Sequence, residues 1–173
     1  VTGGSISNID GLIKANGSAN LFLMNPSGIV FGENARLNIG GSFLGTTAEN
    51  IKFSDGNIFS AINPQAPPLL TINVPVGLQM GINPGEITVN GSGHNLKVQD
   101  INFSPYINHG SSSLLRVKPG KILSLIGGDI KLNGATLNAA MGRIELSSFK
   151  DGELNLNENT ISPNSKFGNI QLS

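Results

Sequence analysis

The feature that most constrains the fold is a five-residue unit, Gly-x-Ile/Leu-x-Leu/Val, that recurs along the chain. Apolar and polar residues alternate in each copy, which is typical of a short β-strand buried on one face. The copies begin at Gly85, Gly128, Gly142, Gly152 and Gly168. We predict that their apolar residues point inward: Ile87, Val89, Ile130, Leu132, Ile144, Leu146, Leu154, Leu156, Ile170 and Leu172. We predict that the polar neighbours point outward: Thr88, Lys131, Glu145, Asn155 and Gln171.

The composition also favours strands and turns. The 173 residues include 23 glycines, and only 13% of them are charged. Glycine adopts the positive φ angles that tight turns need. No segment carries the i, i+3, i+4, i+7 apolar stripe of an amphipathic helix over three turns. We therefore predict an all-β fold.

The spacing of the repeat leaves two β architectures open. The step from Gly85 to Gly128 is long, whereas the later steps to Gly142, Gly152 and Gly168 are short and uneven. A parallel β-helix places two or three strands in each coil of about 20 residues and allows uneven corners. The long step would then correspond to two coils. A β-sandwich, which is also built from short strands, explains the spacing as well.

Residues 57–84 interrupt the repeated pattern. Five of the nine prolines fall there: Pro64, Pro67, Pro68, Pro75 and Pro84. Proline has no N–H to donate to a ladder, so it disfavours interior strands. We interpret residues 57–84 as an excursion from the repeated strands. The strands before it are apolar on both faces, so we expect another element to cover their outer side.

We interpret residues 1–173 as a single domain, because no linker divides them. The first residues, Val1-Thr2-Gly3-Gly4, already look like the middle of a repeating pattern of strands and turns. We therefore expect the chain to be a fragment of a longer protein, lacking its N-terminal cap. The end of a strand stack presents N–H and C=O groups that seek a partner. The first strands should accordingly be covered by another segment or be frayed.

Residues 1–50 resemble a known family. The segments Val1-Thr2-Gly3-Gly4, Ile9-Asp10-Gly11-Leu12-Ile13 and Ala19 to Gly32 are similar to the filamentous haemagglutinin N-terminal domain, the secretion domain of two-partner secretion exoproteins. The family signature Asn-Pro-Asn-Gly-Ile matches Asn25-Pro26-Ser27-Gly28-Ile29 except at Ser27. A second signature, Asn-Pro-Asn-Leu, would precede Val1. The similarity is weaker from Arg116 to Ser148.

The resemblance implies a right-handed, single-stranded parallel β-helix, or solenoid, with an extra-helical hairpin. It implies a secretion and adhesion module of a large exported protein, located at the cell surface or secreted. The expected partner is the set of periplasmic domains of an outer-membrane transporter. A host or cell-surface receptor or glycan, bound through the parent protein, and end-to-end contacts with like chains are further expected partners. We also expect the domain to template the coils that follow it.

The signature has a physical interpretation of its own. Pro26 fixes φ for the first corner of a type I or II turn, and Ser27-Gly28 supply a small residue followed by one that is free to adopt positive φ. Asn25 can bond the backbone of its own turn. The pentapeptide is thus a tight corner, a contact with the transporter, or both. For the contact we expect an exposed polar corner, in which the Asn25 amide is dispensable for folding.

Two other function classes remain as alternatives. A plain structural rod segment of an adhesin or extracellular filament would need no transporter recognition. A carbohydrate-active β-helix enzyme needs clustered carboxylates and aromatic platforms. The acidic residues are dispersed, apart from Asp151 and Glu153, and there is no Trp. His94 and His109 lack ligands at metal spacing. We predict no enzyme activity, no metal and no cofactor. The zero net charge argues against nucleic-acid binding.

Overall fold

A computed structural model describes residues 1–63, 74–93, 96–98, 106–108 and 114–173. These residues form strands and turns and contain no helix, hence none able to span a membrane. The all-β prediction is confirmed. The strands are β1 (Ser7–Ile9), β2 (Leu12–Lys14), β3 (Leu21–Met24), β4 (Ile29–Phe31), β5 (Arg36–Asn38), β6 (Phe43–Thr46), β7 (Asn50–Phe53), β8 (Ile58–Ser60), β9 (Pro75–Met80), β10 (Ile87–Asn90), β11 (Leu96–Val98), β12 (Tyr106–Asn108), β13 (Leu114–Arg116), β14 (Ile122–Gly127), β15 (Ile130–Asn133), β16 (Thr136–Asn138), β17 (Arg143–Asn155), β18 (Thr160–Ile161), β19 (Lys166–Phe167) and β20 (Ile170–Leu172).

Most strands join one of three parallel ladders. Ladder A contains β1, β4, β10, β15 and β20. Ladder B contains the parallel pairs β2–β5 and β13–β16, with β13 beside β5. Ladder C contains β3, β6, β14 and the first half of β17. The chain visits A, then B, then C, and then returns to A, because each short strand turns a corner into the next.

The register explains the uneven spacing of the repeat. Ser7 pairs with Ile29, so the chain from Ser7 to Ile29 makes one step of ladder A. Ile87 pairs directly with Ile130, although the chain between them is much longer. The interpretation of the step from Gly85 to Gly128 as two coils is therefore wrong. It is a single step of the ladder, lengthened by an insertion that contains the antiparallel hairpin β11–β12.

The predicted inward residues divide according to their position in the ladders. Ile87, Val89, Ile130, Leu132 and Leu154 are buried, and Leu146 and Leu156 are partly buried. Ile144, Ile170 and Leu172 are exposed. These three are in register with the buried residues Leu123, Ile130 and Leu132, but they lie on the last described strands, which have a parallel neighbour on one side only. The polar neighbours are partly or fully exposed, as predicted.

An antiparallel sheet adjoins the ladders. Strand β9 pairs with β7 on one side and with the second half of β17 on the other, and β8 pairs with β7. Pro75 is the first residue of β9, a position where its missing N–H is tolerated. Pro64, Pro67 and Pro68 lie outside the described residues. The repeat copy at Gly152 belongs to this sheet and not to a parallel ladder.

Two apolar cores result from this arrangement. The inner core lies between the ladders and contains Ile29, Phe31, Phe43, Ile87, Val89, Leu115, Leu123, Leu125 and Ile130 among others. The outer core lies between ladder C and the antiparallel sheet and contains Met24, Leu44, Ile51, Leu78, Met80, Ile126, Phe149 and Leu154 among others. All four residues of β6 are buried. The outer side of ladder C is thus covered, which explains why its strands are apolar on both faces.

We predict that the outer core contributes substantially to stability. Leu78 is fully buried in it, whereas Leu12 is 60% exposed on ladder B. Leu78→Ala should lower the free energy of unfolding by about 2–5 kcal/mol, because a cavity replaces packed side chain. Leu12→Ala is the matched control and should change it by less than about 0.5 kcal/mol. Urea titration measures both, and equal effects would show that the antiparallel sheet packs only loosely on ladder C.

A second prediction concerns the corner between β16 and β17. Met141 has φ of 54° and is 94% exposed, and Gly120, in the turn before β14, has a similar φ of 75°. A side chain with a Cβ is disfavoured at such φ. Met141→Gly should therefore raise the free energy of unfolding by about 0.5–1 kcal/mol. Met141→Ala keeps the Cβ and should leave the free energy of unfolding unchanged. If alanine raised it as much as glycine does, the conformational explanation would be refuted.

Candidate functional site at the Asn25–Ile29 corner

The signature pentapeptide forms the corner that connects β3 in ladder C with β4 in ladder A. The N–H of Gly28 donates to the carbonyl oxygen of Asn25 at 3.1 Å, which closes a four-residue turn. Asn25 Oδ1 accepts the N–H of Ser27, also at 3.1 Å. Gly28 has φ of 125°, a value that residues with a Cβ rarely adopt. The sequence-based prediction of a tight turn with positive φ at Gly28 is confirmed.

The Asn25 side chain is buried and fully hydrogen-bonded. Its exposed fraction is 0%. Its Nδ2 donates to the carbonyl oxygen of Ser5 and to Ser7 Oγ, each at 2.8 Å. The expectation that the amide is exposed is therefore wrong. Its hydrogen bonds also argue against its being dispensable for folding. The side chain joins the turn before β1 to the corner after β3, and removing it would leave several buried polar groups without partners.

The corner is also held by main-chain bonds on both sides. Ser7 N–H donates to Gly28 O at 3.1 Å, and Gly85 N–H donates to Pro26 O at 2.9 Å. Ile29 N–H donates to Glu86 O at 3.0 Å. A Cβ at Gly85 would overlap the backbone of the Ser27–Gly28 peptide, so only glycine permits this close approach. The corner is thus the middle of three stacked layers.

Little of the corner is accessible to a partner. Gly28 and Ile29 are buried together with Asn25, whereas Pro26 and Ser27 are partly exposed. All five predicted site residues lie together, but only two of them contribute outer surface. Sequence reasoning missed Ser5 and Ser7 as the partners of Asn25. The signal for them is the register of ladder A, in which Ser7 pairs with Ile29 and the residues before Ser7 lie beside the corner.

Charged residues surround the outer face of ladder A next to the corner. Glu86 pairs with Lys131 at 2.7 Å, and Asp129 pairs with Lys150 at 2.8 Å. Partial burial raises the pKa of Glu86, but hydrogen bonds from Lys131 and Thr88 outweigh it, so the net pKa is lowered. The hydrogen bonds from Lys150 and from the backbone of Asn169 lower the pKa of Asp129.

The described residues offer no cluster of three or more metal-binding side chains. A groove along ladder C contains one carboxylate, Glu145. That carboxylate forms an ion pair with Arg143 Nε and accepts a hydrogen bond from Ser124 Oγ, each at 2.6 Å. Glu153 pairs with Lys52 at 2.7 Å. His94 and His109 lie outside the described residues.

Comparison with known proteins gives one family. The family model described as the TPS secretion domain, where TPS stands for two-partner secretion, matches residues 1–172. No curated protein and no solved structure matches the chain.

The ion pairs on ladder A predict a pH dependence of stability. The pKa values of Glu86 and Asp129 lie below their ordinary values of 4.5 and 3.8 in the folded protein. The stability that these groups contribute is therefore present above the ordinary values and is lost as pH falls through the lowered ones. The double variant Glu86→Gln, Asp129→Asn should lose less stability on acidification than the wild type in urea titrations. An unchanged pH dependence would show that other carboxyl groups dominate.

Proposed function

Because the chain belongs to the TPS secretion domain family, we propose that it is the part of an exported protein that an outer-membrane transporter recognises. Proteins with this domain are secreted to the cell surface or extracellular space by two-partner secretion. The observation that carries the proposal is the match over residues 1–172, nearly the whole chain. The family is a secretion module and not a catalytic one.

The proposed architecture is a right-handed parallel β-helix that forms a single domain. Its support is the order in which the chain visits ladders A, B and C, and the matching registers of ladders A and C, where Ser7 pairs with Ile29 and Leu21 pairs with Phe43. Connections between parallel strands are right-handed in about 98% of cases, which favours the same hand here. In this proposal, the antiparallel strands β7–β9 are the extra-helical element. Strands β8 and β9 fall within the excursion that we assigned to residues 57–84, whereas β7 precedes it.

For recognition, we assign the outer surface of the corner to Pro26 and Ser27. Asn25, Gly28 and Ile29 act indirectly, because they fix the turn that presents these two residues. The support is their burial and their hydrogen bonds to the neighbouring layers. A transporter domain that binds at this corner would contact a rigid surface and would lose little conformational entropy on binding.

A further part of the proposal is that the domain templates β-helix folding. The inner residues Leu137, Ile144, Leu146 and Leu172 line an open hollow at the edge formed by the last described strands. An additional coil stacked on this edge would cover them and would pair with in-register strands. Parallel pairing is slow to start because it is non-local, so a preformed edge would accelerate it. Adhesion to a receptor or glycan would be a property of the parent protein.

The burial of Asn25 also favours a second candidate, a structural rod segment without transporter recognition. In that case the whole signature would serve only to hold the corner. The groove along ladder C, with its one paired carboxylate, gives no support to the carbohydrate-active alternative, which needs two carboxyl groups at a fixed separation.

We predict that two substitutions at the corner separate these functions. Asn25→Ala should lower the free energy of unfolding by about 1–3 kcal/mol, since it leaves buried polar groups unpaired. Ser27→Lys changes a partly exposed side chain and should leave stability within about 0.5 kcal/mol of the wild type. Binding to the purified periplasmic domains of the partner transporter, measured by calorimetry, should nevertheless be at least tenfold weaker for Ser27→Lys.

The wild type and a distant surface variant, Leu12→Ala, are the controls. If the wild type does not bind the periplasmic domains, the recognition function fails and the rod segment becomes the better description. If Ser27→Lys binds as well as the wild type, the transporter contacts another surface and the corner is purely structural.

A further inference from the structure

The chain contains three Asn-Gly pairs that the secretion function does not use: Asn16-Gly17, Asn90-Gly91 and Asn133-Gly134. This dipeptide is chemically reactive. The glycine nitrogen can attack the asparagine side-chain carbonyl, because glycine has no side chain to obstruct the approach. The reaction requires a side chain that is free to rotate and a glycine N–H that is not held in a hydrogen bond.

Two of the pairs are locked in ladder A. Asn133 Nδ2 donates to Asn90 Oδ1 at 3.0 Å, and Asn133 Oδ1 accepts from Ser173 Oγ at 3.2 Å. The following glycines are locked as well, because Gly91 N–H donates to Asn133 O at 2.8 Å and Gly134 N–H donates to Ser173 O at 2.7 Å. Neither side chain can rotate onto its glycine nitrogen without breaking bonds of the stack.

The third pair is free. Asn16 and Gly17 are exposed in the turn between β2 and β3. The ladder bond that precedes them runs from Ala15 N–H to Asn38 O, and within the described part of the chain no hydrogen bond involves the Asn16 side chain or the Gly17 N–H. Gly17 has φ of 86° and open space where a Cβ would lie.

We propose that Asn16 is a site of spontaneous deamidation and backbone isomerisation in this protein. The deprotonated Gly17 nitrogen bonds to Asn16 Cγ, the side-chain nitrogen leaves as ammonia, and a five-membered succinimide forms. Water then opens either carbonyl of the ring. One opening gives aspartate with the normal backbone, and the other gives isoaspartate, in which the chain continues through the side-chain carboxyl.

The isoaspartate product has a structural consequence. It inserts an additional methylene into the backbone immediately before Gly17. The carbonyl oxygen of Gly17 lies so close to Gly40 that a Cβ there would overlap it, and a Cβ at Gly41 would likewise overlap Ala19 O. The lengthened backbone must shift against these glycines. Modification at Asn16 should therefore loosen the contact between the first two layers of the fold.

Peptide mapping of the purified chain tests the proposal. Trypsin separates the three pairs, because Lys14, Arg36, Lys97, Lys131 and Arg143 place them in different peptides. After incubation at mildly alkaline pH, mass spectrometry should show deamidation at Asn16 at least roughly tenfold faster than at Asn90 or Asn133, since the latter must first break two or more hydrogen bonds. The rate at Asn16 should rise with pH, as deprotonation of the glycine nitrogen requires.

Two controls assign the difference to structure. In concentrated urea the rates at the three pairs should become similar, because all three share the reactive Asn-Gly dipeptide and the folded structure no longer restrains any of them. Asn90→Ala removes the acceptor of Asn133 Nδ2 and should accelerate deamidation at Asn133 in the folded protein while Asn16 is unaffected. Similar native rates at all three pairs, or the fastest reaction at Asn133, would overturn the proposal.

Discussion

The in-register stacking of parallel strands is the constraint on which the rest of the structure depends. Because Ile29, Ile87 and Ile130 are aligned in ladder A, each of them packs on an isoleucine of a neighbouring layer, and all three are fully buried. Such a row excludes water only while the register holds, since a shift by one residue would place Val30 or Thr88 in the core. The corners must therefore place each strand in register with its neighbours. The residues of the corners are for this reason as important for the fold as those of the strands.

Corners keep the register by two devices. Glycine permits close approach, as at Gly85 and Gly128, where a Cβ would overlap the neighbouring layer. Side-chain oxygens accept backbone N–H groups of the next layer: Asp10 accepts from Asn34, Asn20 from Ser42, and Asp129 from Asn169, each at 2.8 Å. These bonds take the place of ladder hydrogen bonds at the corners, where the backbone turns and its N–H groups would otherwise be unpaired. The corners thus require glycines and short polar side chains.

The sequence predicted the positions of the strands better than it predicted which strands pair with each other. Alternation at Ile87 and Val89 determines which face is buried, and this is a local property. It could not reveal that Leu154, with the same local pattern, packs in the outer core, because that depends on pairing with β9, which lies far earlier in the chain. The turn at Pro26 and Gly28 was predictable for the same local reason. The burial of Asn25 was not, since Ser5 and Ser7 are brought to it by the register and not by the turn.

The buried amide of Asn25 links recognition to folding in the proposed function. In the folded domain a partner at this corner meets Pro26 and Ser27, whereas the Asn25 amide is bonded to Ser5 and Ser7. In an unfolded chain the same amide is free to bond a partner. A transporter domain that binds the chain before it folds would therefore depend on Asn25 directly, and it would compete with the bonds that close the corner. A domain that binds after folding would depend on Asn25 only through the shape of the turn. Binding before folding would thus require the Asn25 amide as a hydrogen-bonding group for the partner, whereas binding after folding would require it only to hold the turn.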